Sequence, residues 1–410
     1  MKYDLTKFWS QMNFFDDIVN RNVENIYPSK KLLLEKLSGK EKLKIYLGID
    51  PSSTKIHLGN AIALQKLKEF QNLGHMVILL IGDFTGMIGD PTDRNAIRKP
   101  LTRDEVLANA NDYKVQAAKI LNFSGKNPAS IAYNSHWLSK LTFEEIVKLS
   151  GHFTVQQMLE RDMFQKRLAE KKPIGLHEFL YPLMQGYDSV AMDVDIEIGG
   201  SDQTFNMLVG RQLMREINGK EKIVITLPLL EGTDGRKMSK SFNNGIDLTA
   251  TPNEMFGKIM SLKDELILKY FEMTTNIPLA ELKEIRSELK TENPIKLKKK
   301  LAFTLVELYN DTTKAKEAED EFEKVVQNKE VPKFIEEIEF SRKLLPKPIH
   351  FFLTETGMCE SVSEASRTAN QGGLTIDGKR VENVREMFNT DKDEVVVKLG
   401  KRNFKKLIFT

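Results

Sequence analysis

Three groups of residues carry the side chains best suited to chemistry. His57-Leu58-Gly59-Asn60 opens an amphipathic helix (Ala61, Ile62, Leu64, Leu67, Phe70), and it follows an apolar run from Leu43 to Ile49 and a Pro51-Ser52-Ser53 turn. A strand, a turn and a helix start leave backbone N–H groups and the positive end of a helix dipole facing one pocket, which suits a phosphate. His57 and Asn60 add neutral donors there, and Gly59 removes a side chain where a flat ring could lie close to the backbone. Downstream, Gly235-Arg236-Lys237-Met238-Ser239-Lys240-Ser241 places lysines and hydroxyls in a glycine-led loop. Such a loop makes a cationic clamp that can close over a polyphosphate. The third group is Tyr181, Gln185 and Asp188, whose spacing of four and three puts a phenol, an amide and a carboxylate on one helix face. Taken singly, these groups also read as an ordinary turn, a solvated charge run and a wet helix surface.

The elements that must position them follow from the apolar pattern. The strand at 43–49 ends in Gly48-Ile49-Asp50, and Met76 to Ile81 reads as a buried parallel strand. That strand runs into the glycine-rich stretch from Gly82 to Asp90-Pro91. Strand, helix and strand with a glycine-rich loop at the carboxyl end is a nucleotide-type unit. A helix over 104–121, a strand near 130–133 and two charged helices over 142–172 follow. Pro182 suits the first position of the helix that carries Tyr181, Gln185 and Asp188. Val194 to Ile198 is a further strand. It delivers Gly199-Gly200-Ser201-Asp202-Gln203 to a helix start, with Ser201 or Asp202 as N-cap, and a strand at 222–226 comes next. The predicted fold is α/β: a Rossmann-like doubly wound parallel sheet over 1–245.

Residues 246–335 are predicted as a helical domain with a basic cluster at Lys296, Lys298, Lys299 and Lys300, and Glu317 to Lys333 as a looser connection. Leu345-Pro346-Lys347-Pro348 reads as a linker. Residues 345–410 then form a small α+β module. Ser361 and Glu364 make a capping box for a helix that stops at Gly372-Gly373. Asp377-Gly378 signals a hairpin between Leu374–Ile376 and Lys379–Val381. Residues 341–410 hold 13 Lys and Arg against 9 Asp and Glu, a balance that suits RNA bound through phosphates and shape.

Composition sets wider bounds. A chain of 410 residues with 40% hydrophobic and 29% charged residues is a soluble globular protein of two or three domains. Its net charge of +3 says little about partners. Cys359 is the single cysteine, which excludes an intrachain disulfide framework and fits a reducing compartment. No apolar run approaches a membrane span, and no apolar leader opens the sequence. The expected location is cytoplasmic.

His57-Leu58-Gly59-Asn60 together with Lys237-Met238-Ser239-Lys240-Ser241 resembles the paired signatures of class I aminoacyl-tRNA synthetases. Tyr46-x-Gly48-x-Asp50-Pro51, Gly86-x-Ile88-Gly89-Asp90-Pro91, the Tyr181/Gln185/Asp188 helix and Gly199-Gly200-Ser201-Asp202-Gln203 narrow the resemblance to bacterial-type tyrosyl-tRNA synthetases. The resemblance spans essentially the whole chain. It implies ATP and L-tyrosine as substrates, Mg²⁺ with the ATP phosphates, a cognate tRNA and a homodimer, with neither DNA nor a membrane as partner and no dedicated metal site. It implies a helical anticodon-recognition domain at 246–335 and an RNA-binding domain at 345–410. It assigns His57, Asn60, Lys237, Lys240 and Ser241 to the phosphates. Tyr46 and Asp188 would bind the tyrosine hydroxyl, and Asp90, Tyr181, Gln185 and Asn134 its ammonium end. Gly48, Asp50, Gly59, Gly200, Asp202, Gln203 and Met238 would line the adenylate. Asn60 stands where many relatives have His, and Glu197 where relatives carry Gln. Tryptophanyl-tRNA synthetases also end the first signature in Asn and are the nearest alternative within the class. A small nucleotidyltransferase would not need residues 246–410. A synthetase-like RNA-binding scaffold without catalysis is the alternative from another class.

Overall fold

The computed structural model describes residues 18–51, 55–90, 102–236, 238, 244–291, 293–324, 335–400 and 403–410. They divide into two units, up to Asn310 and from Asp311.

The first unit is built on a six-stranded sheet of order β1-β6-β5-β2-β3-β4. Its strands are β1 (Asn25–Tyr27), β2 (Lys44–Ile49), β3 (Met76–Ile81), β4 (Ser130–Tyr133), β5 (Ile196–Gly200) and β6 (Ile223–Leu227). Only β1 runs antiparallel, against β6. The β3 sequence MVILLI is buried at five of its six positions and β6, IVITL, at every one. Continuous apolar runs of this kind belong to parallel strands covered on both faces, where alternation would leave polar side chains inside. The chain proceeds outward from β2 through β3 to β4, then resumes on the other side of β2 with β5 and β6. The direction therefore switches between β2 and β5. A doubly wound sheet opens its crevice at such a point, beyond the carboxyl ends of the strands. That places the Gly48–Asp50 tip beside Gly199-Gly200.

Helix Leu58–Asn72 connects β2 to β3, and helix Leu176–Met192 precedes β5. Pro182 lies inside the latter, not at its first position. The start moves back to Leu176 because the Glu178 carboxylate caps the Gly175 N–H at 2.9 Å and is itself held by buried Arg167 at 2.8 and 2.9 Å. The proline removes one interior hydrogen bond, yet Tyr181, Gln185 and Asp188 keep their common face. Residues 142–172 form three short helices rather than two, each opened by its own N-terminal turn.

Helices Pro252–Met260, Ile267–Thr274, Leu279–Thr291 and Pro294–Tyr309 complete this unit. The Arg21 guanidinium ties the chain start to them by donating to the Ile277 carbonyl at 2.8 Å. The predicted loose connection from Glu317 is helical as far as Phe322, in helix Thr312–Phe322, which Asp311 caps. Residues 325–333 of that connection lie outside the described residues.

The second unit holds a five-stranded sheet of order β10-β9-β12-β13-β7 and a small pair of β8 with β11. These are β7 (Glu336–Phe340), β8 (Lys347–Pro348), β9 (Leu374–Ile376), β10 (Lys379–Arg380), β11 (Met387–Phe388), β12 (Glu394–Leu399) and β13 (Asn403–Phe409). The predicted linker is part of this unit: Lys347 and Pro348 pair with Phe388 and Met387, and β7 before them pairs in parallel with β13. The β9–β10 hairpin turns on Asp377 (φ 47°) and Gly378 (φ 78°), the left-handed pair that an Asp-Gly hairpin requires. Phe340, Phe352 and Phe409 meet in its core.

Candidate active site

The crevice at the β2/β5 switch point is a cleft of about 420 Å³. At its mouth, His57 is the N-cap of helix Leu58–Asn72. Its Nδ1 accepts from the Asn60 N–H at 3.4 Å, while the Asn60 side-chain oxygen accepts from the His57 N–H at 3.3 Å. This is a capping box built from His and Asn in place of Ser and Glu. With Nδ1 accepting, the neutral ring carries its proton on Nε2 and offers a donor there. A Cβ at position 59 would fall 3.0 Å from that ring and 3.7 Å from the Met238 sulfur, so glycine is what lets helix start, ring and Met238 close together. Lys237, Lys240 and Ser241 lie outside the described residues.

In the middle of the cleft, Asp50 at the tip of β2 accepts from the Tyr181 hydroxyl at 2.7 Å and the Thr85 hydroxyl at 2.6 Å. Gly82 is required beside it, since a Cβ there would sit 2.0 Å from the Asp50 carboxylate. Asp90 accepts from the Gln203 amide at 2.5 Å and lies 3.4 Å from the Arg161 guanidinium. Burial, and then the nearby Asp90 charge, push the Asp202 carboxyl up to about 6. Burial and the charges of Asp50 and Asp90 also raise the Tyr181 phenol well above its ordinary value, so it stays a donor.

The deep end is formed by Tyr46 and Asp188, 1% and 3% exposed. Asp188 accepts from the Trp137 indole N–H at 2.7 Å and the Asn134 amide at 3.2 Å. Burial holds its carboxyl well above the usual range, although both donors pull the other way. Asn134 is fixed in turn, its amide donating to Thr85 at 3.0 Å and its oxygen accepting from the Phe84 N–H at 2.9 Å. The Tyr46 hydroxyl lies 2.9 Å from the Ser189 hydroxyl. Glu197 is buried beside them, accepts from Gln185 at 3.1 Å and forms an ion pair with buried Lys222.

The cleft thus gathers Tyr46, Gly48, Asp50, His57, Gly59, Asn60, Asp90, Asn134, Tyr181, Gln185, Asp188, Gly200, Asp202, Gln203 and Met238. It grades from neutral donors at the mouth, through a carboxylate-rich middle, to a hydrogen-bonding floor. That order suits a phosphate outermost, an ammonium and sugar hydroxyls in the middle, and a hydroxyl-bearing ring innermost. Sequence reasoning missed Thr85, Trp137, Ser189 and Lys222. The one legible signal was Lys222 itself, a charge directly before the apolar run of β6. Among the described residues no group of three or more His, Cys, Asp or Glu is placed to hold a metal ion.

Residues 38–327 match the family described as tRNA synthetases class I (W and Y). The Tyrosine–tRNA ligase of Thermotoga maritima is 45% identical over 391 residues, covering 94% of this chain and 95% of its own. That of Carboxydothermus hydrogenoformans is 44% identical over 404 residues, covering 96% and 97%. Among solved structures, a C-terminally truncated Aspergillus nidulans mitochondrial tyrosyl-tRNA synthetase shares the fold with a TM-score of 0.65 at 21% identity, over 78% of this chain and 98% of that one. The Archaeoglobus fulgidus tyrosyl-tRNA synthetase, complexed with L-tyrosine, does so with a TM-score of 0.59 at 22% identity, over 74% and 99%.

Proposed function

This chain belongs to the class I tRNA synthetases (W and Y), and from that premise we infer that it is a tyrosine–tRNA ligase. It activates tyrosine with ATP, releasing pyrophosphate, and transfers the tyrosyl group to the 3′-terminal adenosine of its tRNA. The observation that carries this reading is the floor of the cleft, where the Asp188 carboxylate and the Tyr46 hydroxyl stand together in a buried setting.

The attacking group is the tyrosine carboxylate, already an anion, so the protein need supply no general base. It has to align two anions and offset the charge that grows on the phosphates. The His57 ring Nε2–H and the Asn60 side-chain amide supply neutral donors for the phosphates, joined by Lys237, Lys240 and Ser241. Gly48, Asp50, Gly59, Gly200, Asp202, Gln203 and Met238 line the adenylate. Asp90, Tyr181 and Gln185 take the substrate ammonium, and Asn134 acts through Asp188. Mg²⁺ would accompany ATP and would offset charge on its phosphates; the neutral donors of His57 and Asn60 at the mouth would offer it no anionic ligand. A phenol hydroxyl adds a hydrogen bond to each of Tyr46 and Asp188, whereas phenylalanine would leave unused the hydrogen-bonding capacity that both turn toward the cleft. Tyrosyl-tRNA synthetases are the standard illustration of that asymmetry.

In this reading residues 1–245 are the catalytic domain, 246–335 recognise the anticodon and 345–410 bind RNA, in a cytoplasmic setting. A homodimer, as the family resemblance implies, is part of this reading. Neither DNA nor a membrane enters the scheme, and no helix among the described residues is long and apolar enough to cross one. Amino-acid-dependent ATP–pyrophosphate exchange tests the assignment, because the family covers tryptophan enzymes too. Exchange with tyrosine is expected; robust exchange with tryptophan and none with tyrosine overturns it.

A further inference from the structure

Tyr46 on β2 and Glu197 on β5 are register partners in adjacent parallel strands. Lys222 sits directly before β6, the next strand across. Neither Lys222 nor Ser189 belongs to the cleft lining, yet both are fully buried beneath it. The Lys222 ammonium pairs with Glu197 and donates to the Ser189 hydroxyl at 2.9 Å; Ser189 in turn lies 2.9 Å from the Tyr46 hydroxyl.

The surrounding fold is shaped to admit that ammonium. Helices Leu176–Met192 and Thr204–Leu213 cross at Gly186 and Gly210. A Cβ at 210 would lie 2.6 Å from the Lys222 ammonium, 3.0 Å from the Ser189 hydroxyl and 3.2 Å from the Gly186 Cα. An apolar residue at 222 would have packed there without a charge to satisfy. Burying an ammonium is costly unless it is paired and hydrogen-bonded, so it calls for an explanation in the cleft above.

We propose that Lys222 is a positioning residue for tyrosine recognition, fixing through Glu197 and Ser189 the two groups, Gln185 and Tyr46, that meet opposite ends of the amino acid. The proposal rests on the reading of the cleft as a tyrosine site. An ammonium only donates, so the Ser189 oxygen accepts from it. The Ser189 proton then goes to the nearer Tyr46 oxygen at 2.9 Å and not to Glu197 at 3.5 Å, which turns the Tyr46 O–H toward the cleft, where it donates to a phenol oxygen whose own proton goes to Asp188. At the other end, Glu197 held by Lys222 accepts the Gln185 N–H at 3.1 Å. That leaves the Gln185 carbonyl oxygen for the cleft, where it can accept from the substrate ammonium. One buried charge thereby sets the polarity of both contacts. Removing it leaves Glu197 buried without its counter-ion and free to turn toward either group.

The test uses full-length protein, with wild-type exchange on tyrosine measured first; failure at that stage sinks the tyrosine reading itself. Lys222→Met is expected to raise the tyrosine KM about tenfold or more while the ATP KM stays within about twofold, and to narrow discrimination against phenylalanine. The paired variant Glu197→Gln/Lys222→Gln, which removes both charges and keeps hydrogen bonding, is expected to recover most of the tyrosine KM. Gly210→Ala crowds the ammonium without touching the cleft and serves if Lys222→Met does not fold; it should raise the tyrosine KM alone. A tyrosine KM that stays put in a folded variant overturns the proposal. So does an ATP KM that rises in step, or discrimination that does not change.

Discussion

The backbone N–H of Leu58 donates to the carbonyl of Ile246 at 2.8 Å. Leu248 returns the bond to Ile56 at 2.9 Å, and His57 and Asp247 sit opposite one another between them. The start of helix Leu58–Asn72 is therefore stitched to residues 246–248, just beyond the Lys-Met-Ser-Lys-Ser stretch. Lys258 holds the Gly245 carbonyl at 2.8 Å and Lys55 lies 3.6 Å from Asp247, which secures the same seam. The first signature is thus joined along this seam to residues 245–248, and Met238 of the second is buried close to Gly59.

Crowding that seam should be felt at the ATP end alone. In Gly59→Ala the new methyl group falls 3.0 Å from the His57 ring, which must give by a few tenths of an ångström. Misplacing donors by that much is expected to raise the ATP KM about fivefold, with the tyrosine KM unchanged. Pyrophosphate exchange titrated with each substrate separates the two, and a matching rise for tyrosine would count against the division of the cleft.

Trp137 gives a complementary prediction at the floor. Its indole N–H donates to Asp188 at 2.7 Å inside a buried site. A hydrogen bond to a charged acceptor contributes about 1.5–3 kcal/mol, and Trp137→Phe keeps most of the ring while deleting the donor. The tyrosine KM is expected to rise about tenfold or more and the ATP KM to stay level. Equal changes in both would mean that the ring holds the sheet together and does not tune Asp188.

Trp137 was invisible in the sequence for a physical reason. The motif residues lie on single local elements, a strand tip or one helix face, so spacing alone groups them. Trp137 reaches Asp188 only because β4 closes the sheet beside β3, and Lys222 reaches Glu197 only through the β5–β6 pairing. Those are register facts, and register is set by packing across the whole sheet. The same limit explains the 345–348 stretch. Two prolines in four residues look like a linker locally, yet β7 before them pairs with β13 at the far end of the chain. Local capping fared better: Ser361 does cap its helix, and Asp377-Gly378 does turn its hairpin.

Asp202 links stability to pH. Its carboxyl stands at about 6 in the folded protein against an ordinary 3.8, so the folded state holds that proton more tightly than the unfolded one. The carboxyl therefore costs nothing below about pH 4. Its cost grows as the pH rises through 4 to 6 and is complete above that, about 2–3 kcal/mol. Asp202→Asn is expected to melt several degrees above wild type at pH 8 and to lose that advantage at pH 4, while its ATP KM rises. Thermal melts at the two pH values decide it; a variant less stable at pH 8 would show that the carboxylate is a structural asset.

Truncation tests the division of labour, and the sheet of the second unit dictates where to cut. In β7, Glu336 to Phe340 pairs residue for residue with Lys405 to Phe409, and Lys406 adds an ion pair to Glu337 at 3.1 Å. Ending the chain at 344 strips β7 of this partner and uncovers Phe340, which is 9% exposed in the intact unit. An unpaired, partly apolar edge is a template for association. Ending at 310 removes the whole second unit and leaves no such edge. The chain ending at 310 is expected to keep tyrosine-dependent pyrophosphate exchange within about twofold, since every described residue of the cleft lies before it. Charging of tRNA should fall at least tenfold, because the phosphate contacts of a basic module are lost. The chain ending at 344 should show the same exchange per folded molecule but elute as larger species on size exclusion. Loss of exchange in the shorter chain would mean that the second unit supports the catalytic fold, and unchanged charging would remove it from tRNA binding.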